Sequence, residues 1–140
     1  MKRVSSMVLT GAVFLALAPL PASAAQPGHW AGIADEVITE IDSAEALAKA
    51  GKADDAKEAV INSYFGIFEE KKMEIAERST LGMTRVSAVE AMFNDLRKAV
   101  GKPGGAELHK LAEPLRQALR ADARELDAAK IGPDGVEVMK

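Results

Sequence analysis

The sequence predicts an all-α protein: an antiparallel, up-down-up-down four-helix bundle that follows a cleaved signal peptide. Three observations predict it. Apolar residues recur at three- and four-residue steps in four separate stretches. Glycine-bearing breaks separate those stretches, and no run of alternating β-branched residues suggests a strand. The connections are short, which favours antiparallel neighbours in a bundle.

The N-terminus reads Met1-Lys2-Arg3, then an apolar run from Val8 to Leu20, then Pro21-Ala22-Ser23-Ala24-Ala25. A charged start, a short apolar segment and a small-residue site are the parts of a secretory signal, with cleavage expected between Ala24 and Ala25. The apolar run is too short to span a bilayer comfortably and lacks a basic stop-transfer flank. Residues 1–24 are therefore set apart as signal, 25–130 as the bundle and 131–140 as a flexible tail. Export places the chain in the periplasm, with no membrane span after cleavage.

The first helix is expected over Trp30 to Ala50, with Ile33, Val37, Ile41, Ala44 and Ala48 inward and Gly51 ending it. The second should run unbroken from Ala53 to Ser79, with Ala56, Val60, Tyr64, Ile67, Phe68 and Ile75 inward, and stop near Leu81-Gly82. The third, Thr84 to Val100, carries Val86, Val89, Phe93, Leu96 and Val100 as a bundle seam. After Gly101-Lys102-Pro103-Gly104-Gly105 the fourth covers Ala106 to Ala129, with Leu108, Leu111, Leu115, Ala118, Leu119 and Leu126 inward and a bend expected at Pro114.

Lys2 and Arg3 leave with the signal, so the remaining 116 residues hold 16 of the 18 basic residues against all 21 acidic ones, a formal charge of −5. That balance argues against nucleic acid and anionic membrane, which demand a basic face, and makes a cation the more natural ligand. The chain has no cysteine. Disulfides, c-type haem attachment, thiolate zinc and iron–sulfur sites are thereby excluded.

The chemically richest stretch is Tyr64 to Glu77, which mixes aromatics with carboxylates. Glu70, Glu74 and Glu77 repeat at helical spacing and read as a solvated acidic stripe. Glu69 falls at the border of the apolar face, where a carboxylate needs a partner, either a cation or an arginine. On the third helix Glu90 sits near the seam, with Arg97 two turns on, so a Glu69–Arg97 ion pair and a metal site stand as equal readings. His29 and His109 are candidate ligands because imidazole suits iron, copper and zinc, although each also reads as an ordinary surface residue. Met73, Met83 and Met92 would matter for cuprous copper, and otherwise read as core filler. The Glu-x-x-His pairs of a buried di-iron centre are missing. No nucleophile triad, phosphate loop or acid–base pair can be assembled, so the chain is not expected to be an enzyme.

The order of Ala56-x-x-x-Val60, Tyr64-x-x-x-Phe68-Glu69, Val89-Glu90-x-x-Phe93-x-x-Leu96-Arg97, a Gly-rich break and a Leu-spaced last helix occupies Gly51 to Leu126. It resembles the extracytoplasmic N-terminal domain of bacterial iron permeases of the oxidase-dependent transporter family. The matching positions are Tyr64, Glu69, Glu90 and Arg97, and the resemblance implies periplasmic handling of iron during uptake. Those permeases continue into membrane helices with an Arg-Glu-x-x-Glu motif, which this chain does not carry. The implied role is thus a detached accessory that binds iron or docks on an inner-membrane permease. The candidate metal set is Tyr64, Glu69, Glu90, His29 and His109, with iron first and copper second. The alternative is a periplasmic docking or sensor-type bundle with no metal site. Self-association is expected through an exposed face of the first helix.

Overall fold

The computed structural model describes residues 28–102 and 105–133, and among these the chain is all α, with five α-helices and no strand. The expected signal segment, residues 1–24, and residues 134–140 of the expected tail lie outside the described residues. None of the described helices is long and apolar enough to cross a membrane.

Helix α1 spans His29–Lys49. Its inward stripe holds Ile33, Val37, Ile41 and Ala44 as expected, and Trp30 is also fully buried at its start. The helix stops through a paired set of bonds, Gly51 N to the Ala48 carbonyl at 3.1 Å and Lys52 N to the Leu47 carbonyl at 2.9 Å. That pairing needs a left-handed residue, and Gly51 supplies it at φ 76°.

The second predicted helix is not continuous. Helix α2 covers Ala53–Ile61, a π-helical segment follows over Asn62–Glu69, and α3 begins only at Met73 and runs to Thr80. In the π segment the Glu70 N–H reaches the Phe65 carbonyl, five residues back, at 3.3 Å. Gly66 lies there beneath the side chain of Asn62, where a Cβ would collide with the Asn62 amide oxygen. Between the π segment and α3 the chain turns through Lys72, which adopts a left-handed φ of 66°. The wider turn and this reversal rotate the buried face, so continuing a 3.6-residue period past Phe68 selects the wrong residues. Ile75, expected inward, is 41% exposed, while Met73, Ala76 and Glu77 are fully buried.

Helix α4 spans Met83–Ala99, with its whole predicted seam buried. Gly82, at φ 95°, makes the corner that precedes it. Helix α5 spans Gly105–Ala128 and stays helical through Pro114. Leu108, Leu115, Leu119 and Leu126 are buried there, joined by Ala112 and Ala123. The two helices that flank the core most extensively are α1 and α5, which pack on each other; α1 also packs on α2 and the π segment, while α4 contacts α5, α3 and α2. Beyond α5, Ile131 still packs against the core, and its carbonyl accepts the Trp30 indole N–H at 2.6 Å. The expected tail is thus held at its first residue.

Candidate functional site

The π segment opens a groove against α4. Its apolar wall comes from Val60, Ile61 and Phe65, its floor from Tyr64 and Phe93, and its rim from Glu90, Asn94 and Arg97, enclosing about 180 Å³. Tyr64 is the centre of an aromatic set. Its ring meets Phe93 edge-on at 5.1 Å and Phe65 at 4.8 Å, and Phe68 lies 5.2 Å from Phe93. Offset and edge-on contacts of this kind add directional attraction to the burial of the rings. Phe65 is left 53% exposed and Ile61 45% exposed on the open side.

The Tyr64 phenol lies in the field of nearby carboxylates, partly offset by Arg78. Partial burial, then the negative charges of Glu74, Glu90 and Glu69, push its pKa up to about 12. Glu74 is buried; its carboxyl is raised by desolvation despite the nearby Arg78 guanidinium, and it is hydrogen-bonded to Glu90. Arg78 binds Glu74 directly and stands 3.7 Å from Glu90. The Glu74–Glu90 contact couples α3 to α4 through a carboxyl pair.

Of the expected site residues, Tyr64, Glu90 and Arg97 line this one groove. Glu69 is not among the residues that line it and is exposed rather than at a buried border, so neither partner expected for it is required. The expected Glu69–Arg97 ion pair is not formed: the Arg97 guanidinium donates to Asn94 of its own helix at 3.0 Å. The two histidines belong elsewhere. His29 meets Trp30 edge-on at 4.8 Å and borders a separate hollow with Glu36, Glu70 and Lys71. The His109 imidazole, at the α1–α5 contact, is 3.1 Å from Glu45. Met73 is in the core, Met92 packs against it and Met83 is exposed. Among the described residues no three His, Asp or Glu side chains are placed to hold a metal ion.

Two charged clusters escaped the sequence reading. Glu45 and Arg116 are both buried between α1 and α5 and bind each other, and Arg116 also donates through Nε to Asp42 at 2.9 Å. Glu77 and Asp122 are fully buried, and Arg85 Nε donates to Asp122 at 2.7 Å. Both Glu77 carboxyl oxygens lack a hydrogen-bond partner, as does Asp122 Oδ2. Burial and the neighbouring Asp122 charge push Glu77 up to about 9, so it is a neutral acid at neutral pH. The expectation of a solvated Glu70–Glu74–Glu77 stripe therefore fails for Glu74 and Glu77, because α3 starts a new register after Lys72. Asp122 did carry a signal, lying three residues after Leu119 and four before Leu126 on the inward stripe.

Comparison with known proteins finds no family model, no curated protein and no solved structure that matches this chain.

Proposed function

We propose that this chain is a non-catalytic accessory protein of the periplasm that handles iron during uptake, and that it works beside an inner-membrane iron permease. Its architecture in this reading is an up-down-up-down bundle of four helical columns, with α2, the π segment and α3 forming the second column. The observation that carries the proposal is the hydrogen-bonded Glu74–Glu90 carboxyl pair at the groove that Tyr64 and Glu90 both line.

Carboxylate and phenolate oxygens are hard, anionic donors suited to a highly charged cation, and two carboxyls that are hydrogen-bonded to each other release a proton when a cation binds between them. The described residues do not offer a closed ligand set. In this reading water or the partner supplies the remaining ligands. Resemblance of the Tyr64–Glu69 and Glu90–Arg97 segments to the permease domain supports the same reading.

The exposure of Phe65 and Ile61 favours a second reading, a docking module with no metal. Thermal unfolding with and without Fe(II), Fe(III), Cu(II), Zn(II) and Mn(II) separates the two. A ligand at one hundred times its dissociation constant stabilises the native state by about 2.7 kcal/mol, several degrees for a domain of this size. Selective stabilisation by iron that is lost in Glu90→Gln, with a visible phenolate-to-ferric absorption that is lost in Tyr64→Phe, establishes iron handling. No shift with any ion leaves the docking reading.

A further inference from the structure

Self-association through the first helix finds no large exposed apolar residue there. The outward face of α1 is polar, presenting Asp35 together with Glu36 and Asp42, which are bound by Lys71 and Arg116. The large exposed apolar residues among those described are Ile61, Phe65, Ile75 and Met83, and two of these four line the Tyr64 groove.

We infer that the Tyr64 groove is the contact by which two copies of this chain pair about a two-fold axis, with the Phe65 face of each copy seated on the other. The occupant is argued from charge. Glu90 and Arg97 both rim the groove from α4. Seven residues separate them, two helical turns or roughly 10 Å. Glu90, 3.7 Å from Arg78, keeps its side chain 34% exposed, so an apolar strip with this acid near one end and a base near the other is complementary to itself. A two-fold axis across α4 at the level of Phe93 and Asn94 brings Glu90 of each copy to Arg97 of the other. In the single chain Arg97 donates only to Asn94, and no carboxylate among the described residues pairs with it, so its charge is available. Phe65 and Ile61 supply the apolar centre of such a contact, and the charged rim supplies its register.

This inference does not rest on iron handling, and its test is run in the presence of a chelator so that failure of one reading is distinguishable from failure of the other. Sedimentation equilibrium of the purified chain at low ionic strength is expected to show a monomer–dimer equilibrium that weakens as salt is added. Arg97→Glu and Glu90→Lys each set like charges together and are expected to weaken self-association at least tenfold. An equimolar mixture of the two variants restores pairing, because every contact then joins opposite charges. Phe65→Asp abolishes pairing while leaving the melting temperature near that of the parent, since Phe65 is not part of the core. A parent chain that stays monomeric at all concentrations overturns the inference. So does an Arg97→Glu or Phe65→Asp variant that pairs as the parent does, or a mixture of two folded variants that stays monomeric while another protein's helix fills the groove.

Discussion

Asp127, near the end of α5, caps the start of α1 at Trp30: its two carboxylate oxygens accept the Trp30 and Ala31 backbone N–H groups, each at 3.0 Å. Gly28 provides no capping side chain, and the first turn of α1 holds no acidic residue of its own. The orphan donors and the positive end of the helix are therefore met by a carboxylate from 97 residues away. A Cβ at Gly28 would fall onto that carboxylate.

Asp127→Ala is expected to destabilise the protein by about 2 kcal/mol, as loss of a charged cap does. Gly28→Ala should approach the same loss, because its methyl displaces the cap. Trp30 is the only tryptophan, so urea unfolding followed by its fluorescence reads both variants. Unchanged midpoints for both would mean that α1 does not depend on the clamp.

Glu77 makes stability fall as pH rises. Its carboxyl is raised in the folded protein to about 9 from 4.5, so the folded state holds a proton that the unfolded state has released. The associated stabilisation is fully present below pH 4.5, declines as pH rises, and is gone above about 9. Glu77→Gln removes the ionisation from both states and keeps the shape. The variant is expected to melt several degrees above the parent at pH 8 and close to it at pH 4.5. Equal melting temperatures at pH 8 would show that Glu77 is not held neutral.

Between α1 and α5, Arg116 is 7% exposed and Glu45 is 6% exposed, so removing one leaves a buried charge unpaired. Arg116→Ala should cost about 3 to 5 kcal/mol, whereas Arg116→Met combined with Glu45→Leu should recover most of it. His109 touches the same Glu45, but its side chain is 61% exposed. His109→Ala is expected to change stability by no more than about 0.5 kcal/mol. Chemical denaturation of the variants gives the ranking, and a His109 effect as large as that of Arg116 contradicts it.

The register change at Lys72 gives a paired comparison. Met73→Ala empties a core position and should cost about 2 to 5 kcal/mol, while Ile75→Ala, on the open side, should cost under about 1 kcal/mol. The reverse order would restore an unbroken second helix.

By itself the amino-acid sequence determined the class of fold and most of the large apolar residues of the core. The seam of α4 and the leucines of α5 were legible because a regular α-helix turns periodicity directly into a face. Gly51 and Gly82 were legible as ends because their positive φ suits glycine. It also pointed to Tyr64, Glu90 and Arg97, whose groove the tertiary structure then assembled. Only the tertiary structure decided the π segment and the left-handed Lys72, since Asn62, Ser63 and Gly66 are weak helix formers but do not specify a π turn, a lysine carries no turn signature, and each change rotates every residue after it. That rotation buried Glu74 and Glu77 and exposed Ile75. The partners of Asp127, Glu45 and Asp122 were likewise decided by packing, because each lies on a different helix tens of residues away, and a one-dimensional period carries no information about which faces meet.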